Sequence, residues 1–375
     1  MVTTVKKTDD DVYWAEKGDG EVIAENSSAP DSVFQAAFDE GGHITAEDGL
    51  YPLTLAGNTA LKAKADSKIV ASRSAVLVVP EGYAADVIEI STAYQGGGAG
   101  GKVNSLFIDG FTMREEGTDP GKLWNGYHFI SSHADGMSNN KIQNTQFGSV
   151  YDVTNIRGPK RGVLLESTTT DGWMNHIEFE NINMYSTVIG FEFKKDAVGG
   201  IPFNYINRVN FRRCTTQANG HVQYGWKGID GEGHVFDDCR CYDFHNAAAP
   251  KIASQFLSTA NKILILGGIM TINPTHMDWQ CPVGNITVFD PFAYRQSVFT
   301  KSDNDGKTRT FTWPHGLSVI PTLLDVTPLT PDANISPFSK TADATNITIT
   351  YRGTLPPPPT AGNPDNLQWY WRTTL

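Results

Sequence analysis

The sequence predicts an all-β protein: a right-handed parallel β-helix with an N-terminal capping helix, followed by a small C-terminal β-sandwich. Three observations carry this. Short apolar strands bounded by Gly, Asp, Asn or Pro dominate the first three quarters of the chain. Two strand signatures alternate in fixed order, at steps of 26 to 36 residues. Near Pro291 the composition shifts to cleanly alternating Thr, Ile and Trp. Three segments follow: an arm or attachment segment over 1–29, the β-helix over 30–292 and the sandwich over 293–375.

Composition supports the class. The 375 residues are 39% hydrophobic and 19% charged, with 36 glycines, a globular and turn-rich balance. The net charge of −11 and the lack of dense basic clusters, apart from Arg208, Arg212 and Arg213, argue against nucleic-acid binding. No stretch has the ~18 apolar residues of a membrane span, so no membrane insertion is expected. The opening carries Lys6, Lys7 and three aspartates with no apolar run after them, so no secretory signal is expected.

Val12–Trp14 and Glu21–Ala24 are short apolar patches in a polar lead-in. Val33, Phe34, Ala37 and Phe38 then fall at helical spacing, with Asp31 as the expected N-cap and Gly41 and Gly42 as the stop. Such a helix would cover the open first coil, an edge that otherwise invites pairing.

The first repeated signature is glycine followed by apolar–x–apolar: Gly126-Tyr-His-Phe129, Gly162-Val-Leu-Leu165, Gly190-Phe-Glu-Phe193 and Gly225-Trp-Lys-Gly228, with Ala253-Ser-Gln-Phe256 as a fifth copy. The second is a polar residue before a β-branched one: Lys141-Ile142, His176-Ile177, Arg208-Val209, His234-Val235 and Lys262-Ile263. Stacked coils want like residues at like positions, so Ile142, Ile177, Val209, Val235 and Ile263 are expected to pile in one inward row. The polar partners read as an exposed lining. Asn175, Asn181, Asn204, Asn207 and Asn261 are expected near corners, where Asn tolerates left-handed backbone. Cys239-x-Cys241 fits neither a zinc knuckle nor a redox pair, and the four cysteines read as buried thiols.

After the shift come Phe311–Leu317, Ile347-x-Ile349-x-Tyr351 and Leu367-x-Trp369-x-Trp371, strands with one buried face. Pro356–Pro359 can hold no strand. A sandwich of about six strands is expected.

Glycoside hydrolysis needs two carboxyl groups facing one sugar bond, and lyase chemistry a base beside a cation. The outward column of the glycine-started strands reads His128, Leu164, Glu192, Lys227, Gln255. Neighbouring loops add Glu166, Asp171 and Asp230. Glu192 with one of these three is the candidate catalytic set. Trp173, Tyr185, His128 and Lys227 are the candidate carbohydrate contacts, and Lys160 with Arg161 would clamp a uronate. No metal site and no cofactor are expected.

Asp31-Ser-Val-Phe-Gln-Ala-Ala-Phe38, Gly41-Gly-His-Ile-Thr45 and Gly49-Leu-Tyr51 together resemble the opening of pectate-lyase-like β-helix proteins. Val12–Trp14 and Glu21–Ala24 look like the lead-in of archaeal and viral members. The C-terminal segment is similar to the small β domains of phage tail fibres, which often trimerise. The resemblance implies a fold more than a chemistry. It implies a homotrimeric virion surface protein (spike, turret or tail-fibre component) that meets other virion proteins through its N-terminal arm. Its outer surface would contact a host surface glycan or protein. A tailspike-type polysaccharide lyase or glycoside hydrolase and a purely architectural capsid decoration protein are the alternatives.

Overall fold

A computed structural model describes residues 2–95, 100–116, 123–132, 136–148, 158–168, 172–185, 187–195, 205–217, 224–242, 252–268, 277–282, 285–288, 294–315, 320–321 and 323–374. The chain forms two compact units, Met1–Leu266 with His276–Thr287 and Gly267–Thr275 with Val288–Leu375.

The first unit is a parallel β-helix built on three ladders. The first ladder stacks His43–Ala46, Lys68–Ala71, Phe107–Asp109, Met137–Gln143, Trp173–Glu180, Tyr205–Arg212 and Val235–Tyr242. The second stacks Leu61–Lys62, Asp86–Ser91, Asn125–Ser131, Arg161–Ser167, Ile189–Lys195, Tyr224–Ile229, Ile252–Phe256 and Met277–Trp279. The third begins at Gly49–Pro52 and Ala75–Val79 and runs through Thr112–Glu115, Gln146–Phe147, Asn183–Tyr185 and Thr215–Gln217.

Inward columns fill as stacked coils demand. Ile44, Ile69, Ile108, Ile142, Phe179, Phe211 and Phe236 lie in register on the first ladder, all buried. Their rings stack face to face, Phe179 on Phe211 at 5.5 Å and Phe211 on Phe236 at 4.9 Å. On the second ladder Tyr127, Val163, Phe191 and Trp226 align as the glycine signature predicts. The glycines themselves have a steric cause. A Cβ on Gly126, Gly162, Gly190 or Gly225 would run into Phe147, Met184, Thr216 or Cys241, the inward column of the third ladder. Cys241 is therefore a packing residue, and all four cysteines are buried and unbridged.

The second signature is shifted in two copies. Ile177 and Val209 pair, but Ile142 lies level with Phe179, two residues along. Val235 pairs with Asn210 on the outer side, so His234 takes the inward seat, fully buried. The expected single row of five is thus broken, and His234 is no part of an exposed lining. The row that does repeat is conformational. Ser105, Asn139, His176, Arg208, Gly233 and Lys262 all have left-handed backbone, with φ from 50° to 75°. A second such row, Asn144, Asn181, Arg213 and Asp238, turns the chain from the first ladder into the third. Asn181 Nδ2 donates to Asn144 Oδ1 at 2.8 Å, and Asn144 Nδ2 to Asp109 Oδ1 at 2.7 Å. Of the five expected corner asparagines, Asn181 is at such a turn, while Asn204 lies outside the described residues.

Helix α1 (Pro30–Glu40) buries Val33, Phe34, Ala37 and Phe38, the expected face. Phe34 meets the rings of Tyr51 at 5.0 Å and Phe111 at 6.0 Å, which closes the interior. Asp31 is not its N-cap. Ala29 holds that place, with Pro30 at the first helical position. Asp31 reaches instead to the backbone N–H groups of Thr54 and Leu55, each at 2.8 Å, and pins the helix to the first coil. Ahead of α1, Val2–Lys7, Tyr13–Lys17 and Val22–Asn26 form an antiparallel meander, and Val2–Lys7 runs parallel to His43–Ala46.

The second unit is a sandwich of two three-stranded antiparallel sheets. One orders Tyr294–Lys301, Leu367–Thr374 and Leu323–Pro328, the other Thr310–Pro314, Asn346–Tyr351 and Phe338–Ala342. Ile347, Ile349, Tyr351, Leu367, Trp369 and Trp371 supply its core. Phe299 stacks on Trp313 at 4.4 Å and on Trp369 at 5.7 Å.

Candidate functional site

The outer face of the second ladder carries a row of charge. Glu89, His128, Leu164, Glu192 and Lys227 stand side by side on successive coils, with Ile130, Glu166 and Lys194 as the next outward row. Alternation along a strand sends both rows outward while Tyr127, Phe129, Phe191 and Phe193 point in.

Three acids at this face, Asp86, Glu166 and Glu192, are each met by a base. His128 Nδ1 is 2.7 Å from Asp86 Oδ2, and its Nε2 is 2.9 Å from Glu166 Oε2. Glu166 also pairs with Lys194. Glu192 lies between Arg161, which bonds it through Nε, and Lys227, whose Nζ is 2.7 Å away. Asn125 links the two groups, donating to Asp86 Oδ1 at 2.7 Å and accepting from Arg161 at 3.3 Å. Lys227 also lies 5.3 Å from the centre of the Tyr224 ring.

Glu192 is only 6% exposed. Burial opposes its charge, yet the bonds and fields of Arg161 and Lys227 prevail and hold its carboxyl below the usual range. Asp86 behaves likewise: burial raises it, and His128, Asn125 and Arg161 bring it lower still. Both are therefore ionised at neutral pH. Such a row presents fixed donors and acceptors to a polar ligand, and its lowered carboxyls suit accepting better than donating a proton.

Beside the face, as the first residues of neighbouring strands of the first ladder, Trp173 and Tyr205 lie in register and stack, with centroids 6.2 Å apart and planes at 21°. Trp173 leans on Gly136 of the preceding coil, where any Cβ would enter the indole. Both rings are half-buried, so part of each faces water.

The structure thus brings together Glu192, Glu166, His128 and Lys227. Asp171 lies outside the described residues. Asp230 is tied up at a strand end by Lys195 at 3.0 Å, Thr259 and the Gly231 N–H at 2.7 Å. Burial opposes its charge, but these partners leave its carboxyl below the usual range. Tyr185 stands on the third ladder opposite Gln217, so the partner of Trp173 is Tyr205. Arg161 serves Glu192, not a free clamp. Asp86 and Tyr205 were missed by sequence reasoning. Extending the outward column one coil back, to Glu89 opposite His128, would have exposed Asp86. Among the described residues no cluster of three or more His, Cys, Asp or Glu could hold a metal, and no helix is long and apolar enough to cross a membrane.

No family model matches the chain, and no curated protein does. Solved structures similar to it include full-length tailspike protein 2 of the Escherichia coli O157:H7 bacteriophage CAB120, at 13% identity and TM-score 0.29, over 85% of this chain and 51% of that one. The Dettilon tailspike protein aligns at 8% identity and TM-score 0.25, over 92% and 90%. The tailspike protein of Pseudomonas phage LKA1 aligns at 9% identity and TM-score 0.22, over 88% and 64%. The chain spans about half the length of the CAB120 protein.

Proposed function

We propose that this chain is a virion surface protein (a spike, turret or tail-fibre component) that holds a host surface glycan against the outer side of its β-helix. The observation that carries the reading is the stacked Trp173–Tyr205 pair beside a row of fixed charges. Aromatic faces carry negative potential and attract the weakly positive C–H face of a sugar ring. Charged donors and acceptors alongside would fix the hydroxyls. The chain acts as a homotrimer, with the N-terminal meander facing other virion proteins.

The test is binding of the intact protein to host surface polysaccharide fractions. Trp173→Ala should lose affinity about tenfold or more, with the far-ultraviolet circular dichroism unchanged. Wild-type protein that binds no fraction would overturn the glycan reading. Light scattering should give three copies, and a stable monomer would overturn the trimer.

One observation favours a second reading, a polysaccharide hydrolase. Glu166 and Glu192 share the outer face on neighbouring strands, two residues apart in register. Strand spacing puts their backbones about 8 Å apart, near the roughly 6.5–9.5 Å that inverting hydrolases keep between carboxyls. Reducing-sugar release from a polysaccharide panel, abolished in Glu192→Gln, would establish it. No turnover leaves the binding reading standing.

A further inference from the structure

A cavity of about 520 Å³ lies between the N-terminal meander and the outer face of the third ladder. Its ladder wall is Leu50, Pro52, Val78, Arg114, Glu115 and Glu116, and the side facing it includes Lys7, Asp11 and Ser28. Neither the charged row nor the ring pair touches it. We infer that this cavity is a second binding site, for a sugar ring that carries a carboxylate.

Arg114 is the first argument. It sits in register with Val78 on the third ladder and lines the cavity. Among the described residues it has no hydrogen-bond or ion-pair partner, whereas Lys7 beside it is neutralised by Asp11 at 2.6 Å. The neighbouring Glu115 also lines the cavity, but its carboxylate is engaged, accepting from Trp124 Nε1 at 3.1 Å and from the Gly82 N–H at 3.3 Å. Glu116 is exposed at the rim, where water and salt screen its field. A half-buried guanidinium with a free fork is the group best shaped for a carboxylate, which it binds through two parallel bonds.

The floor is the second argument. Leu50 is 46% exposed next to Pro52, an apolar surface that no side chain of the described residues covers fully. Apolar floor, single cation and a hydroxyl at the wall match a ligand with one C–H face, one acid and several hydroxyls. The volume holds one or two pyranose rings. A phosphate or free inorganic anion would leave the floor unused.

The experiment is saturation-transfer NMR on the full chain with methyl α-galacturonoside and methyl α-galactoside, which differ only at the carboxylate. The uronoside should receive saturation and the neutral glycoside should not. Arg114→Gln should weaken uronoside binding about tenfold or more, the loss expected for a charge-assisted pair. Arg114→Lys, which keeps the charge but not the fork, should fall between. Lys301→Gln, which removes a cation elsewhere in the chain, should change nothing. Equal binding of both glycosides, undiminished binding by Arg114→Gln, displacement by inorganic sulfate as strong as by the uronoside, or no saturation of either would overturn the inference. Since Trp173 and Tyr205 lie on another ladder, loss here would leave the glycan reading above untouched.

Discussion

The side-chain amide of Gln35 bonds both backbone groups of Lys62: its Oε1 accepts the Lys62 N–H at 2.8 Å, and its Nε2 donates to the Lys62 carbonyl at 3.3 Å. Leu61–Lys62 is the terminal strand of the second ladder, with Asp86–Ser91 on its other side. The capping helix thus lends one amide where a further strand would otherwise pair, which blunts the edge. Gln35→Leu removes both bonds while keeping the bulk. It should cost about 1–3 kcal/mol and speed hydrogen exchange at Lys62. A denaturation midpoint and an exchange rate equal to wild type would refute the amide's role.

The glycine column gives a sharper test of packing. A Cβ at Gly190 would press on the Gly225 carbonyl and the Thr216 methyl, and both are held by their own coils. Gly190→Ala should destabilise by roughly 2–3 kcal/mol, in the range of an overpacked core. Gly18→Ala, whose Cβ would meet nothing nearer than 3.6 Å, is the comparison and should be close to neutral. Thermal melting of the pair reads the difference.

That column was legible in the sequence because glycine recurs at four successive copies, Gly126, Gly162, Gly190 and Gly225, and its neighbours alternate. The second signature misled for a physical reason. Asn140 occupies an inward seat, 1% exposed, and is satisfied there by the Val103 carbonyl and the Leu106 N–H. A rule that counts apolar residues skips such a seat and lands on Ile142. His234 does the same three copies along. The charged row was half legible: His128, Glu192 and Lys227 follow the glycine register. Arg161 comes just before its glycine, and Asp86 lies on a coil that has Val87 where the later copies have glycine, so both went unread as their partners.

The asparagine corner separates backbone strain from side-chain bonding. Asn181 has φ 54° and bonds Asn144 at 2.8 Å. Asn181→Gly relieves the backbone and loses the bond, so the two effects offset to within about 1 kcal/mol. Asn181→Ala loses the bond and keeps the strain, and should cost about 1–2 kcal/mol more than glycine. If alanine and glycine prove equally stable, left-handed strain does not govern this turn.

His234 should make stability depend on pH in a window of its own. Its Nδ1 accepts from the Val209 N–H at 3.2 Å and its Nε2 lies 2.8 Å from the Asp230 carbonyl, so both ring nitrogens are committed in the neutral form. Phe193 packs edge-on at 5.2 Å. Burial, with the Lys195 charge adding to it, depresses the imidazole from 6.5 to about 4, although the bond from Nε2 to the Asp230 carbonyl works the other way. The unfolded chain therefore takes up a proton first as pH falls. Stability from this group is complete above about 6.5, declines through the interval and is lost below about 4. The drop is on the order of 3 kcal/mol. Asp86, Glu192 and Asp230, all held below the usual carboxylate range, lose their contribution only at lower pH. Unfolding free energies at pH 7 and pH 4.5 should thus differ more in wild type than in His234→Gln, which has no proton to gain. The same pH slope in both proteins would mean that the buried imidazole does not set it.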